Sequence, residues 1–419
     1  MSARSVHFAS NKGAIMKILF LHQNMPGQYK HLAPAMARAG HEVVFLTQRG
    51  DVNLPGVKRV TYAKPRAANA ATHHYVRLFE NSVLAGQQVV RACLELKKQG
   101  FVPDVVVAHP GWGEALFVKD VYPAVPLLNF CEFYYGGEGG DTGFDPEEPV
   151  TLDTICRVRA RNANLLLSLE ACDAGVAPTH WQRSRHPEGL REKIAVIFDG
   201  IDTDTVKPDP AAHFTLPDGR VLTRDDEVVT YVARNLEPYR GYPNFIRSLP
   251  RLLELRPNAT VIIVGGDDVS YGRAPTDSTN WREHMAKEVT LDPARVHFTG
   301  KLPYLTYLSL LQVSSLHIYL TVPFVLSWSC IEAMGAGCLV LGSDTAPVQE
   351  VITDEVNGLL VDFHSPKAIA EKAADALAAG RGLDSLRKLA RERVLERYAL
   401  TRCLPRQMQL ITNTADLRK

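Results

Sequence analysis

The feature that most constrains this chain is an alternation that runs nearly its whole length and pauses once. Short apolar, β-rich runs occur at Lys17–Leu21, Glu42–Thr47, Asp104–Ala108, Val125–Asn129, Ala174–Ala177 and Ala195–Ile197. A second series occupies Val228–Ala233, Thr260–Val264, Arg295–Phe298, Leu316–Leu320, Leu339–Leu341 and Gly358–Val361. Helical spacing fills the intervals, as in Leu32–Ala39, Asn81–Lys98, Tyr242–Arg256 and Pro366–Ala379. Continuously apolar strands separated by helices predict doubly wound parallel sheets with both faces covered. Between 199 and 227 the pattern stops in a turn-rich, then charged, stretch that reads as a domain boundary. At 419 residues two cores are expected rather than one. The expected organisation is an N-terminal Rossmann-like domain over 16–205 and a C-terminal one over 206–399. Residues 1–15 lack an apolar core and are expected to be disordered; they do not read as a signal peptide.

Composition removes several function classes. Hydrophobic content of 46% and charged content of 22% fit a soluble globular protein. A net charge of +1 argues against nucleic-acid binding. No apolar run is long enough to span a bilayer. The seven cysteines include no C-x-x-C pair and read as buried thiols in a reducing, cytoplasmic setting. There is no phosphate-loop signature, no G-x-G-x-x-G after either first strand and no H-E-x-x-H.

The richest segment runs from Leu320 through Ser327-Trp328-Ser329 to Glu332, then on through Gly337 to Asp362. It reads as strand end, polar turn, helix, strand and loop, with Glu332 at the start of the helix. A carboxylate among small polar groups there suits a sugar or ribose. Earlier, the first strand of the second series ends in Arg234-Asn-Leu-Glu-Pro-Tyr-Arg240-Gly241, two cations on a turn before a helix. That is a plausible clamp for a phosphate gaining negative charge. Glycines at Val264-Gly-Gly266 allow close backbone approach, or simply a turn.

These motifs resemble the family 4 (group 1) retaining glycosyltransferases, whose GT-B fold sets two Rossmann-like domains across a cleft. The linker Asp199-Gly-Ile-Asp-Thr-Asp-Thr-Val-Lys-Pro resembles the family's hallmark, with Asp199 in place of asparagine. The resemblance implies that Arg234 and Arg240 stabilise the leaving diphosphate, across a loop one residue longer than usual and with arginine replacing lysine. It implies that Glu332 holds the ribose and that Gly27, Gly266, Leu302, Ser327, Trp328 and Ser329 border the donor, the turn at His297–Tyr304 reading the base. His109, at the end of a strand, would orient the sugar. Gln28, Tyr29, Glu132, Tyr134 and Asp141 would meet the acceptor. The last residues, 400–419, would cross back onto the N-terminal domain. One departure stands out: Phe324 falls where the family has a carboxylate that grips the donor sugar.

The resemblance further implies a nucleotide-diphosphate sugar of uridine, guanosine or adenosine type as co-substrate. No metal or other cofactor is expected. The acceptor would be a carbohydrate or glycolipid hydroxyl, in polysaccharide or glycolipid assembly at the inner face of a membrane. Peripheral membrane contact is suggested by the basic-aromatic run Thr179–Arg185. Two alternatives stand beside this one. A nucleotide-sugar-binding protein without transferase activity is suggested by Phe324, and a sugar-nucleotide 2-epimerase shares the architecture.

Overall fold

The computed structural model describes residues 14–147 and 149–418. Most of the expected disordered leader, residues 1–13, lies outside them. A first, all-parallel sheet contains β1 (Lys17–Leu21), β2 (Glu42–Thr47), β3 (Val57–Thr61), β4 (Val105–Ala108), β5 (Leu127–Phe130), β6 (Ala174–Ala177) and β7 (Ile194–Val196). Its spatial order is β3-β2-β1-β4-β5-β6-β7. A small antiparallel hairpin, β8 (Phe214–Thr215) and β9 (Val221–Leu222), follows. The second parallel sheet holds β10 (Val228–Asn235), β11 (Thr260–Gly266), β12 (Val296–Gly300), β13 (Leu316–Tyr319), β14 (Val340–Ser343) and β15 (Leu359–Val361), in the order β12-β11-β10-β13-β14-β15.

The twelve strands expected from apolar runs all form, with edges shifted by a residue or two. Three strands carried too weak a signal. The edge strand β3 is Val-Lys-Arg-Val-Thr, half exposed along its length, and its two cations mask the apolar pattern. The hairpin strands are two residues each, too short for a period to register.

Each sheet buries both faces. In β1, Ile18 and Phe20 enter one cluster with Phe45, Val105 and Val107, while Leu19 and Leu21 enter another with Val44, Val106 and Leu127. The strand period of two divides one continuous apolar run between two cores. The helix Leu400–Ala415 completes the first of these, with Ile411 fully buried there and Leu404 and Met408 packed against it. It is tied to the linker by Gln407, which donates to the Phe198 carbonyl at 2.8 Å, and by a bridge between Ile201 and Ala399.

In both sheets the strand order reverses direction at one place: between β1 and β4, and between β10 and β13. Crevices at the carboxyl ends of strands beside such reversals are where open α/β sheets bind ligands. His22 and His109 follow β1 and β4. Arg234 lies at the end of β10, and Thr321 follows β13. The topology therefore brings His109 and Arg234 to one cleft, while His22 and Thr321 are buried, His22 against the His109 ring and Thr321 against Arg240.

Candidate active site

The cleft holds a cavity of about 680 Å³, lined by residues of both domains. His109 and Glu132 from the first domain line it, as do Arg234, Tyr271 and Phe324 from the second. His109 is clamped between the Trp112 and Phe130 rings, at centroid distances of 4.7 and 5.4 Å. Its Nδ1 accepts the Gly111 N–H at 3.1 Å, so in the neutral ring Nε2 carries the proton. That nitrogen lies 3.5 Å from the Glu132 carboxylate.

The other Glu132 oxygen accepts from the Gln28 amide at 3.2 Å, and Gln28 Oε1 lies 3.0 Å from His22 Nε2. His22 Nδ1 accepts the Asn24 N–H, which puts the His22 proton on Nε2 as a donor to Gln28. His22, Gln28 and Glu132 are thus linked by hydrogen bonds, while His109 Nε2 faces the Glu132 carboxylate at ion-pair distance without a hydrogen-bond partner of its own. Burial and the neighbouring His109 push the His22 pKa down to about 3, so it stays neutral. Burial raises the Glu132 carboxyl, but the hydrogen bond and charge of His109, with His22 and Arg234, outweigh this and hold it below the ordinary range. Glu132 is therefore an anion held against His109 and Gln28 on the cavity wall.

Two glycines make this arrangement possible. Gly27 has φ +51°, and a Cβ there would lie 2.5 Å from the His22 ring. Its importance is the close packing of its own domain. Gly113 closes the His109 loop at φ +107°, where a Cβ would lie 2.1 Å from the Ser82 carbonyl oxygen. Gly113→Ala is expected to destabilise the protein by about 3 kcal/mol or more, read as a fall in melting temperature. An unchanged melting temperature would mean that the helix Arg77–Lys98 yields without cost.

The two arginines occupy different surroundings. Arg234 is exposed to the cleft and makes no hydrogen bond among the described residues. Arg240 is 8% exposed, and its guanidinium donates to Thr321 Oγ1 at 2.8 Å, to the Val325 carbonyl at 2.9 Å and to Tyr319 Oη at 3.3 Å. Tyr271 lies over it, 5.6 Å from ring centroid to guanidinium carbon. Sequence reading missed Tyr271. The loop bearing it is anchored by Glu237, 1% exposed, which accepts the amide N–H groups of Ser270, Tyr271 and Gly272. The only trace in sequence was a glutamate between the two arginines.

Several expected site residues are placed differently. Glu332 does not start its helix, which runs Trp328–Ala336 with Ser327 as N-cap; it sits one turn inside. Its carboxylate accepts from Tyr304 Oη at 2.8 Å and Tyr307 Oη at 2.9 Å. Ser327 and Ser329 hydrogen-bond each other at 3.0 Å, closing that cap. Tyr29 is 2% exposed and packs on Phe20 in the core, so it is not available to an acceptor. Tyr134 turns toward His186, while its neighbours Phe133 and Tyr135 line the cavity. The space a side chain would need at Gly266 is taken by Lys301 and Asn235, and the Leu302 side chain packs into core clusters. Asp141 accepts from Tyr239 Oη at 2.7 Å across the cleft. The basic-aromatic run at Thr179–Arg185 is used internally: the Glu350 carboxylate accepts the His180 and Trp181 amides, both at 2.8 Å, and Arg183 folds onto the Arg191 and Ile194 carbonyls.

Phe324 is 3% exposed. It packs on Phe133 at 4.7 Å, Tyr271 at 5.0 Å and Tyr239 at 5.3 Å, joining the two domains. Asp199 also joins them by accepting from Trp328 Nε1 at 2.7 Å. Burial lifts the Asp199 carboxyl to about 7, against the pull of the Trp328 bond. A raised native pKa favours folding below the ordinary carboxyl range and loses that contribution as pH climbs through about 7. Asp199→Asn keeps an acceptor for Trp328 and removes the charge. It is expected to melt higher than wild type at pH 8, with the gap closing toward pH 4; an equal gap at both pH values would refute the ionisation.

Comparison with known proteins decides the family. Residues 39–206 match the model described as Glycosyl transferase family 4 group, and residues 218–393 match Glycosyl transferases group 1. The chain is a family 4, group 1 glycosyltransferase. This glycosyltransferase is 28% identical to a glycogen synthase of Mycobacterium tuberculosis over 370 residues, 82% of this chain and 79% of that one. It is 23% identical to a GDP-mannose-dependent α-(1-6)-phosphatidylinositol monomannoside mannosyltransferase of the same organism, over 74% of this chain and 76% of the other. The fold matches the sucrose-phosphate synthase of Thermosynechococcus elongatus with TM-score 0.71, 19% identity and coverage of 96% and 100%. It matches Anabaena HepE, solved with UDP-glucose, with TM-score 0.66, 15% identity and coverage of 95% and 100%. The glycosyltransferase has the GT-B architecture of two Rossmann-like parallel-sheet domains.

Proposed function

We propose that this glycosyltransferase moves a sugar from a nucleotide-diphosphate sugar to a hydroxyl acceptor with retention of anomeric configuration, in the assembly of a polysaccharide or glycolipid. The observation that carries the reading is the meeting of Arg234, a cation whose side chain has no hydrogen-bond partner among the described residues, with the His109–Glu132 pair on one interdomain cavity. As the glycosidic bond breaks, charge grows on the departing diphosphate. Arg234 stabilises it directly, and Arg240, held in place by three acceptors, adds a fixed positive field. This reading gives the leaving-group charge to side chains rather than to a metal ion. His109, oriented by Glu132, positions the donor sugar. Glu332, preset by Tyr304 and Tyr307, receives the ribose hydroxyls. Closure of the two domains keeps water from the reacting centre.

A relative named as a glycogen synthase and a neighbour solved with UDP-glucose support a nucleotide-sugar donor. The relative named as GDP-mannose-dependent keeps a guanosine donor equally in view. The test is a panel of uridine-, guanosine- and adenosine-diphosphate sugars, with nucleotide release measured and the product's anomeric configuration read by NMR. Release from one donor with an inverted product would refute retention. One observation favours a second reading. Phe324 fills, with Phe133, Tyr239 and Tyr271, the place where a sugar-gripping carboxylate is implied. A protein that binds one nucleotide sugar, shown by a raised melting temperature, yet releases no nucleotide with any acceptor would be a binder.

A further inference from the structure

Trp112 lines the cavity and is 38% exposed, although an indole is among the largest apolar surfaces a chain can bury. Three other aromatic rings of the lining, Phe130, Phe133 and Phe324, are no more than 5% exposed. The exposed indole is held rigidly. It stacks on the His109 ring with centroids 4.7 Å and planes 26° apart, and the His22 ring meets it at a steep angle, 5.0 Å away. The short turn Pro110–Trp112 that carries it is pinned by Asn164, whose amide donates to the Pro110 carbonyl at 2.6 Å. Gly113 then packs so closely on Ser82 that no side chain would fit there. The indole thus spends one face on His109 and leaves the rest of its surface to the cavity.

Neutral amides flank it on two sides. Gln23 and Asn24 line the cavity, and neither side chain has a hydrogen-bond partner among the described residues. The Asn24 N–H is bonded to His22, the ring that Trp112 touches, so amide and indole adjoin. On the other side Asn81 precedes Ser82, against which Gly113 packs. Asn81 Oδ1 accepts the Ala68 N–H at 2.7 Å, and its NH2 group is left to the cavity it lines. Of the cations nearby, Arg66 is spent on Glu80 at 3.1 Å and Arg161 lies over the Tyr135 ring; Lys64 remains as a further donor. An aromatic face carries negative charge density that attracts C–H groups. A carboxamide both donates and accepts, as a hydroxyl does. The molecule that matches both is flat on one side with C–H groups and rimmed by hydroxyls, which describes a pyranose ring.

We infer that Trp112 is the platform on which a pyranose ring of the acceptor stacks, its rim hydroxyls reaching Gln23, Asn24 and Asn81. A ring seated there lies against His109, beside the centre where transfer is read to occur. The platform selects a cyclic sugar over an open-chain polyol bearing similar hydroxyls, because only the closed ring presents a continuous C–H face. The consequence for rate rests on the transferase reading; the stacking itself is a matter of binding and is measured separately.

Two measurements on the full chain test it. In the first, the methyl pyranosides of glucose, galactose and mannose, and the hexitols glucitol, galactitol and mannitol, are titrated against tryptophan fluorescence without donor. At least one pyranoside is expected to change the emission of wild type, and the hexitols are not. Trp112→Phe should lose that response while the other tryptophans still emit. In the second, the same compounds are offered as acceptors with the sugar nucleotide that releases its nucleotide. Wild type should favour a pyranoside over its hexitol by about three- to tenfold in kcat/KM, the worth of one aromatic contact. Trp112→Leu should erase that preference. A role confined to bracing His109 would slow transfer to pyranoside and hexitol alike and leave their ratio unchanged. Wild type that answers no pyranoside, a response retained in Trp112→Phe, or a preference that survives Trp112→Leu would each overturn the inference. A fluorescence response lost in Trp112→Phe, with no nucleotide released from any donor, would leave the platform standing and remove the transferase reading instead.

Discussion

Replacing Arg234 with alanine is expected to lower sugar transfer by about a hundred- to a thousandfold with little change in melting temperature. The size follows from removing one fixed charge donor at a centre where negative charge grows, which typically costs that much in rate. The absence of a stability effect follows from geometry: Arg234 is exposed at the end of β10 and makes no hydrogen bond among the described residues. Its charge helps to keep Glu132 ionised. The kinetic signature should be a loss in kcat/KM carried mainly by kcat, because the interaction strengthens as the leaving group departs. Arg234→Lys should recover part of the rate but not all, a point charge being a poorer match for phosphate oxygens. The measurement is nucleotide release from the preferred donor, beside a thermal melt. A variant that keeps full activity would remove Arg234 from the chemistry.

Arg240→Ala is expected to behave oppositely in its first symptom: the fold weakens. The Arg240 guanidinium satisfies Thr321 Oγ1, the Val325 carbonyl and Tyr319 Oη while buried under Tyr271. Removing it leaves those acceptors short of a donor and opens space beneath the Phe324 cluster. The cost is on the order of 2–4 kcal/mol, visible as a clear drop in melting temperature. Transfer should fall as well, since the loop Thr321–Val325 loses its anchor. Arg240→Lys supplies charge but not a planar fork, so it should regain only part of the stability. A melting temperature unchanged in Arg240→Ala would mean that water replaces the guanidinium without cost. The contrast between the two arginines is itself informative, because equal effects on stability would contradict the difference in their exposure.

Much of this molecule was legible in its sequence, for identifiable reasons. Strands buried on both faces must be apolar without interruption, and so all twelve long enough to show that pattern could be located. The pause at 199–227 marks the stretch where the chain leaves one sheet and enters the other. His109 and Arg234 stood out because strand ends are where an α/β sheet exposes polar groups, and both now face the same cavity. What sequence could not provide was the direction in which neighbouring residues point within loops. Tyr134 and Tyr135 are adjacent, yet one faces His186 and the other the cavity. Nothing local distinguishes them.

The tertiary structure decided the rest. It made Glu132 a partner of His109 and Gln28 rather than an isolated acid, through contacts between residues up to 104 positions apart. It buried Tyr29 and Arg240, and it gave Phe324 aromatic neighbours from both domains. It tied the basic-aromatic run at Thr179–Arg185 to the second domain through Glu350, which accepts the His180 and Trp181 amides, a contact between segments some 170 positions apart. Periodicity records which face of an element is buried, so a sequence determines its elements and their order. Which groups then meet across a cleft depends on the packing of distant segments, and only the folded chain fixes that.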